Sequence, residues 1–268
     1  MVEPVMPEAP PLPRPRLLRQ SWLDLTFIHW AVDPASIARF YPPGTRPDTF
    51  EGRAYVGLVP FRMVATGLAR GPALLGDFLE TNIRLYSVDD AGRRGVFFLS
   101  LDANRWDVVA VARTSFGLPY RRAKMQYEVS ANTHTYTTTR RRAFGATAGG
   151  MGKSSAAPGS GAGAPSDSGL AFSSRVTVQV GEPLEVGDLE LFLTARWGLH
   201  TRRLGRTWYL PNEHPTWDLR SAELLDLEVG GLLASVGLPD LSVNPPDHVA
   251  HSPGVRSYFG LPRRPAGC

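Results

Sequence analysis

Residues 78–101 read FLETNIRLYSVDDAGRRGVFFLSL and carry the clearest pattern in the chain. Two runs rich in β-branched and aromatic residues, 78–88 and 95–101, flank the turn sequence Asp89-Asp90-Ala91-Gly92. Strand-forming runs on either side of a short Asp/Gly segment predict a β-hairpin. We therefore expect the fold to be built on antiparallel strands.

The first of these two strands has two chemically different faces. Odd positions from Leu79 to Leu85 are Leu, Thr, Ile and Leu, whereas Glu80, Asn82 and Arg84 occupy even positions. Successive side chains in a strand point to opposite faces. The polar face has two interpretations: it is solvated, as on a half-buried sheet, or it lines the interior of a barrel. In a barrel, the carboxylate and the guanidinium could hold a small polar ligand.

The rest of the chain extends the β pattern. Further strand-like runs cover residues 54–64, 124–130, 133–140, 172–180 and 207–210. Short helices are predicted over 33–40, 106–114 and 188–196, the last with Asp188 as its N-cap. Many strands with few helices favour a mainly β fold, either an antiparallel barrel or a sandwich.

Two segments differ in composition from the rest. Residues 1–15 are rich in proline and predict a disordered tail, and residues 145–169 are dominated by Gly, Ala, Ser and Pro. Strand-like runs lie on both sides of the second segment, which is interpreted as a flexible insertion loop. The prediction is one domain over residues 16–262, followed by a short tail at 263–268.

Composition excludes several classes of protein. The chain has 268 residues, 43% of them hydrophobic, and one cysteine, Cys268. A disulfide framework and a cysteine-rich metal site are excluded. A run of about 18 apolar residues, as a membrane-spanning helix needs, does not occur. The N-terminus is acidic and proline-rich where a signal peptide is basic and apolar, so a cytoplasmic protein is expected.

The formal net charge of +4 comes mainly from arginine, since Lys124 and Lys153 are the only lysines. The arginine clusters at 140–142 and 202–203 are interpreted as solvated turns and strand ends, because no nucleic-acid-binding module accompanies them. Asp102, near the end of the hairpin, is interpreted as a turn residue or as a buried partner of Arg105 or Arg113. No nucleic-acid partner and no membrane partner are predicted.

Searches for catalytic and metal-binding motifs are negative. Thr147–Ser154 lacks the first glycine and the following helix of a phosphate-binding loop. No G-x-S-x-G nucleophile elbow occurs. His214, His248 and His251 could be imagined as metal ligands, but they do not form an H-E-x-x-H pattern. Neither a metal nor a cofactor is expected.

An ordered set of segments resembles the YqjF-like family, a group of uncharacterised proteins with a domain of unknown function. The resemblance covers residues 20 to 262. Its blocks are FIHW at 27–30, DTFEG at 48–52, VPFRM at 59–63, ETNIRLY at 80–86, FFLSLDA at 97–103, LPY at 118–120, LTARW at 193–197 and HSPGV at 251–255.

That family is similar in fold to acetoacetate decarboxylase, which implies a closed antiparallel barrel around a small cavity. In the decarboxylase, a G-R-E-x-x-G-F-P-K-K segment supplies the lysine that forms a Schiff base with a keto acid. Here Arg113 stands at the motif's arginine, and Tyr120 and Arg121 occupy the two lysine positions. Neither a phenol nor a guanidinium can form an imine, so the central chemical step is lost.

The resemblance also suggests roles for the remaining polar residues. Glu80 and Tyr120 are the candidate catalytic residues, as proton donor or acceptor and as hydrogen-bond donor. Arg84, Asn82 and Arg113 are the candidate ligand-binding residues, because a guanidinium fork matches a carboxylate. Lys124 shares strand parity with Tyr120 and is the remaining candidate for an imine-forming lysine.

Three functions stay open at this level. The first is an enzyme acting without imine formation on a small carboxylate or carbonyl compound, with a lyase or isomerase type of reaction. The second is a protein that binds a small ligand without converting it. The third is a decarboxylase-like enzyme that uses Lys124. The expected partner is a small molecule, and the sequence leaves the oligomeric state open.

Overall fold

The computed structural model describes residues 1–141 and 170–264. Within these ranges the chain forms thirteen strands. They are β1 Leu18–Val32, β2 Thr45–Pro47, β3 Ala54–Leu68, β4 Gly76–Asp89, β5 Arg94–Ala103, β6 Tyr120–Arg122, β7 Lys124–Ser130, β8 Thr133–Arg141, β9 Leu170–Pro183, β10 Gly198–Arg203, β11 Arg206–Glu213, β12 Arg220–Glu228 and β13 His248–Phe259. The prediction of a mainly β fold with a few short helices is confirmed.

The α-helices of the described ranges are short; the first three lie close to their predicted positions, and the fourth was not predicted. They are α1 Pro34–Ile37, α2 Trp106–Phe116, α3 Asp188–Thr194 and α4 Gly230–Ala234. Asp33 caps α1 as its side chain accepts a hydrogen bond from the Ala35 amide. The predicted cap of α3 was displaced by one residue: Gly187 is the N-cap, and Glu190 Oε2 accepts from its amide at 3.0 Å. None of the described helices is long and apolar enough to cross a membrane.

The strands form one sheet in which β1 and β13, the first and last strands along the described chain, are neighbours. The order is β1-β3-β4-β5-β10-β11-β13-β12-β9-β8-β7, and β1 also pairs with β13. Most pairings are antiparallel, as expected. Two are parallel, however, because β5 pairs in parallel with both β10 and β6. These parallel contacts place β6 beside the hairpin strand that the sequence had paired only with β4.

The predicted hairpin of β4 and β5 is present, with Leu85 opposite Phe97 and Ser87 opposite Gly95. Both faces of β4 are buried. Ile83 and Leu85, on the odd face, belong to an apolar cluster with β8, β9 and α4. Glu80 and the other even positions face the opposite side of the sheet. The solvated interpretation of the even face therefore does not hold for this strand.

The connection from α2 to β6 fixes the position of Tyr120. The helix ends at Gly117, whose φ of +67° is favourable for glycine only. A Cβ atom at this position would lie 2.5 Å from the carbonyl oxygen of Arg202, so no larger residue fits. The chain then continues through Leu118 and Pro119 and places Tyr120 opposite Leu101 in the parallel pairing with β5.

Asp102 and Arg140 form a buried ion pair between β5 and β8. Their exposed fractions are 0% and 7%, and Ser100 also accepts a hydrogen bond from Arg140, at 2.9 Å. From the sequence, Asp102 was interpreted as a turn residue or as a buried partner of Arg105 or Arg113, and Arg140 was placed in solvent. The correct partner lies 38 residues away and is brought near only by the folding of the sheet.

The N-terminal residues 1–15 form neither helix nor strand, yet they lie against the body of the protein. Glu3 contacts Arg94 twice: its carboxylate accepts from the backbone amide at 2.6 Å and its carbonyl accepts from Nε at 2.7 Å. Further along, the carbonyl of Met6 accepts from the indole of Trp197 at 2.9 Å. Leu12 is buried. The sequence-based prediction of a disordered tail was made without these contacts, because their partners lie far away in the chain.

Several sequence predictions fall on residues that the structure does not describe. These are the insertion loop at 145–169, the Thr147–Ser154 segment, and the last four residues of the tail at 263–268. On either side of the undescribed segment, β8 and β9 pair with each other, and Arg141 lies opposite Leu170. The strands before and after it thus belong to the same sheet.

Candidate functional site

A cavity of about 160 Å³ lies against the even face of β4. Its lining includes Glu80, Asn82 and Arg84 from this face, together with Tyr120 from β6. Pockets for drug-sized ligands measure about 300–1,000 Å³, so this cavity suits a smaller molecule. Four of the six residues that the sequence predicted for the site therefore line one cavity.

Glu80 and Tyr120 form the polar centre of this cavity. The Tyr120 hydroxyl donates to Glu80 Oε2 at 2.6 Å, and Asn82 Nδ2 donates to Glu80 Oε1 at 3.4 Å. Glu80 is 2% exposed. Burial raises its pKa to about 7, against the opposing effect of the two hydrogen bonds. At neutral pH, Glu80 is therefore present in both protonation states and can both give and accept a proton.

The surroundings of this pair are apolar. Phe61, Met63, Phe78 and Leu101 belong to one buried cluster that also contains Tyr120, and all four line the cavity. Low polarity disfavours charge on both partners. Burial and the neighbouring Glu80 raise the pKa of Tyr120 well above its usual value, so Tyr120 acts as a neutral hydrogen-bond donor.

Arg84 is held in place by the protein at the other end of the polar face. Its Nε donates to the Tyr86 hydroxyl and its Nη2 donates to the Leu193 carbonyl, both at 3.1 Å. Its guanidinium also lies over the Phe27 ring, 5.4 Å from the centroid. Four residues of a strand span about 13 Å, so Arg84 and Glu80 approach the cavity from well-separated points.

Arg196 is a second cavity-lining cation, which the sequence analysis missed as a site residue. It follows α3 and is 5% exposed. Its Nε donates to the Phe192 carbonyl at 2.7 Å, and its Nη1 pairs with Asp48. Its Nη2 has no hydrogen-bond partner among the described residues. The LTARW block was noted only as part of the family resemblance, because its partner Asp48 is 148 residues away in the chain.

Three buried polar atoms of the lining are left without partners among the described residues: Arg196 Nη2, a donor, Asn82 Oδ1, an acceptor, and the hydroxyl of Thr66. Unpaired buried polar groups are costly, so they often mark a position where a ligand or water completes the hydrogen bonding. Asp48 is shared between Arg94 and Arg196. Together with Arg84, these two arginines give three guanidinium groups. When Glu80 is protonated, the only charged carboxylate among the groups named here is that of Asp48. This balance favours an anionic ligand.

The structure does not bring Arg113 to the cavity. This residue is exposed on the last turn of α2, whereas Val108, Val111 and Ala112 of the same helix line the cavity. Positions three and four apart share a helix face, and Arg113 lies next to this face, toward solvent. The motif position is occupied by an arginine, but the side chain does not take part in the site.

Lys124 does not line the cavity either. It is exposed at the start of β7. The parity argument assumed one continuous strand from Tyr120 to Lys124. Instead, β6 ends at Arg122 and β7 begins after Ala123, so the alternation of faces does not carry across.

The cavity has further polar and aromatic residues that no sequence pattern indicated. Among them are Gln20, Asn212, His214 and Trp217. His214 Nδ1 lies 2.8 Å from the carbonyl of Pro215 and must donate to it. Burial lowers the pKa of His214 to about 4, so this imidazole is neutral at physiological pH. A neutral ring adds a hydrogen-bonding group without adding charge.

With the site described, the chain can be compared with known proteins. The family DUF2071, described as "Uncharacterized conserved protein", matches residues 19–256. The chain belongs to the DUF2071 family. A curated relative, the uncharacterised protein YqjF of Bacillus subtilis (strain 168), is 30% identical over 210 residues, which cover 77% of this chain and 76% of the relative.

Solved structures show that this DUF2071 chain has an acetoacetate decarboxylase-like fold. Acetoacetate decarboxylase from Legionella pneumophila gives a TM-score of 0.56 at 15% identity, covering 93% of this chain and 89% of that one. An acetoacetate decarboxylase-like enzyme from Sphingomonas wittichii RW1 gives 0.56 at 9% identity, with coverages of 92% and 91%. The enduracididine biosynthesis enzyme MppR complexed with pyruvate gives 0.54 at 14%, with coverages of 93% and 90%.

The family assignment and the fold confirm the resemblance seen in the sequence. At these identities the solved structures establish the fold alone, and the description of the family names no reaction. The chemistry of this chain has to be inferred from its own cavity residues.

Proposed function

We propose that the protein holds a small organic acid in the cavity beside β4, and that Glu80 exchanges a proton with it without forming an imine. The observation that carries this proposal is the hydrogen-bonded pair of Glu80 and Tyr120 in an apolar lining that also contains Arg84 and Arg196. In the proposal, the pairings of β1 with both β3 and β13 close the sheet into a barrel around this cavity.

The proposed roles follow from the chemistry of each group. A carboxylate of the ligand accepts hydrogen bonds from Arg196 Nη2, which has no partner in the described part of the chain, and Arg84 supplies positive charge nearby. Glu80 in its charged form removes a proton from carbon next to a carbonyl, and in its neutral form returns it. Tyr120 donates a hydrogen bond to Glu80 or, after a small rotation, to the carbonyl oxygen. One proton leaves the carbon and one returns, so the step balances as exchange of the α-proton, and it becomes an isomerisation when the proton returns to a different atom or to the opposite face of the same carbon.

The comparison with MppR supports the class of ligand. That protein is described as complexed with pyruvate, a small keto acid. A ligand of this size fits a cavity of about 160 Å³. Pyruvate and acetoacetate are therefore the first probes for this chain.

We expect no imine to form with either keto acid, because Lys124 is exposed outside the cavity and Tyr120 stands at the decarboxylase lysine position. The protein would be incubated with pyruvate or acetoacetate, reduced with borohydride and analysed by intact-mass spectrometry. The expected spectrum shows the unmodified mass. A stoichiometric adduct that disappears in Lys124→Met would revive the covalent mechanism and contradict the proposal.

Arginine substitutions test where the acid binds. Arg84→Met is expected to weaken binding of a short carboxylic acid by about 10- to 100-fold, the usual value of a charged hydrogen-bonding group. Arg113→Met is the matched control, because it removes the same charge from an exposed position on α2. Isothermal titration with pyruvate and with a panel of short acids measures both, after the unliganded melting temperatures have been compared.

Two outcomes of the arginine experiment count against the proposed site. One is an equal loss of affinity in Arg84→Met and Arg113→Met, which would indicate an effect of net charge alone. The other is an unchanged affinity in Arg84→Met with a folded variant, which would place the acid elsewhere.

A binding protein without turnover is the second candidate. One observation favours it: the Arg84 donors Nε and Nη2 and the Tyr120 hydroxyl are already satisfied by protein groups, as in a rigid, preformed pocket. The two candidates differ in the fate of the α-proton. Exchange of this proton into deuterated solvent, followed by NMR and abolished in Glu80→Gln, indicates catalysis. Saturable binding without exchange indicates a binding protein.

A further inference from the structure

A second cluster of polar side chains lies outside the cavity, where β8 approaches β1 and β13. It consists of Asp24, His134 and His251, and none of the three lines the cavity. One carboxylate oxygen and one ring nitrogen from each histidine all lie within 4.8 Å of one another. The sequence had considered His251 only together with His214 and His248, and those two residues belong to other parts of the structure.

The histidine rings are close to each other and differ in exposure. Their centroids are 4.4 Å apart with an interplanar angle of 54°. His251 is 3% exposed, and His134 is half-buried. Two imidazoles and a carboxylate at this separation form a ligand set that is open on one side.

Hydrogen bonds fix the tautomer of His251. The Tyr136 hydroxyl has one proton and donates it to the Asp24 carbonyl at 2.6 Å. Thr26 Oγ1 donates to the same hydroxyl at 3.3 Å, so its oxygen must accept from His251 Nδ1, at 3.2 Å. With the proton on Nδ1, the lone pair of a neutral His251 ring is on Nε2.

His134 is oriented in a similar way. Its Nδ1 lies 2.8 Å from the Tyr127 hydroxyl. Metal-binding histidines usually donate their other ring N–H to an oxygen, which orients the ring and raises its basicity as a ligand. Both histidines of this cluster have such an oxygen at Nδ1. When Nδ1 of each ring carries the proton and donates to that oxygen, Nε2 is the nitrogen available to a metal.

The backbone at Asp24 is the third observation. Its φ is +51°, in the left-handed region that non-glycine residues rarely adopt. The residue lies in the irregular part of β1, where the register with β3 shifts between Leu23 and Ile28. Strained backbone of this kind costs about 1–3 kcal/mol and is concentrated at functional positions. Here it sets the carboxylate of Asp24 beside the two imidazoles.

We propose that Asp24, His134 and His251 form a binding site for a zinc ion, separate from the Glu80 cavity. Two imidazoles and one carboxylate with an open fourth position are a ligand set typical of tetrahedral zinc. Bonds of about 2.0–2.1 Å place tetrahedral ligands about 3.3 Å apart. The ligand atoms thus close by about 1.5 Å at most on binding, a distance within reach of side-chain rotation.

Arg62 is the internal competitor of the metal. Its Nη1 donates to Asp24 Oδ2 at 2.8 Å. Because a guanidinium and a cation compete for the same carboxylate, Arg62→Met is expected to bind zinc more tightly than the unmodified protein. Loss of a ligand would weaken zinc binding, whereas this variant is expected to strengthen it, and it leaves both histidines in place.

The test uses the full chain without a histidine tag, treated with a chelator and titrated with zinc chloride. We expect one zinc ion per chain by equilibrium dialysis and a higher melting temperature with zinc. Asp24→Asn and His134→Gln are expected to lose more affinity than the about 10- to 100-fold that loss of an outer hydrogen-bond partner costs. Asparagine tolerates a positive φ, so Asp24→Asn keeps the backbone conformation. Circular dichroism checks that both variants fold.

His214→Asn is the matched control, since it removes a histidine outside the cluster and should leave zinc binding unchanged. The proposal is overturned if the unmodified protein binds no stoichiometric zinc. It is equally overturned if Asp24→Asn and His134→Gln bind as well as His214→Asn does. Failure of these tests leaves the proposed function of the Glu80 cavity untouched.

Discussion

Asp48→Asn is expected to lower the free energy of unfolding by about 3–5 kcal/mol, the usual cost of removing one partner from a buried ion pair. Asp48 is 4% exposed and pairs with two guanidiniums, Arg94 and Arg196. Asparagine has nearly the same shape but carries no charge. The variant would therefore leave Arg196 buried without a counter-ion, which is the origin of the cost.

Urea denaturation at pH 7 measures this effect. Asp107→Asn is the matched control, because Asp107 pairs with Arg105 at the surface of the protein. Exposed pairs contribute little to stability, so the control should unfold close to the unmodified protein. An equally small loss in Asp48→Asn would show that water compensates the charge of Arg196, although this residue is only 5% exposed.

Glu80→Gln is expected to change how stability depends on pH. Burial raises the pKa of Glu80 from 4.5 to about 7 in the folded protein. Between these two pH values, the unfolded chain loses the proton that the folded chain keeps. The folded state then binds more protons, so the contribution of Glu80 to stability falls as pH rises from 4.5 to 7 and is constant outside this window.

The loss across this window amounts to about 3 kcal/mol, since one pKa unit corresponds to about 1.4 kcal/mol. The Glu80→Gln variant has no such loss. Its free energy of unfolding, relative to that of the unmodified protein, should therefore rise by this amount between pH 4.5 and pH 7. Buried histidines such as His214 contribute with the opposite sign, because burial lowers their pKa. Both proteins contain the same histidines, so the histidine contribution cancels when one free energy of unfolding is subtracted from the other.

Urea denaturation at a series of pH values gives the difference directly. Glu128→Gln controls for the removal of one carboxyl group, because Glu128 is exposed on β7. A difference that does not vary with pH would mean that Glu80 titrates near its ordinary value. In that event the proton exchange proposed for Glu80 loses its basis.

The sequence predicted the strand that carries the site but not the groups that surround it. Alternation along residues 78–86 was sufficient to place Glu80, Asn82 and Arg84 on one face, because strand geometry is local. Whether that face was solvated depended on what packs over it. The family resemblance, rather than the pattern, favoured an interior cavity.

The failures of the sequence analysis have two physical causes, one long-range and one local. Arg196 and Arg140 looked like ordinary polar residues, because their partners Asp48 and Asp102 are 148 and 38 residues away. Lys124 was misplaced for a local reason, since the strand is interrupted at Ala123. Long-range pairings leave no periodic signal in one sequence, whereas a break between two short strands is too subtle for propensity rules.

The N-terminal segment has a consequence for how the protein is prepared. Glu3 holds Arg94, Arg94 pairs with Asp48, and Asp48 pairs with Arg196 of the cavity lining. Protein from which Glu3 has been removed would therefore be changed at the cavity lining, through three successive polar contacts. Ligand screens on such material would report on an altered pocket.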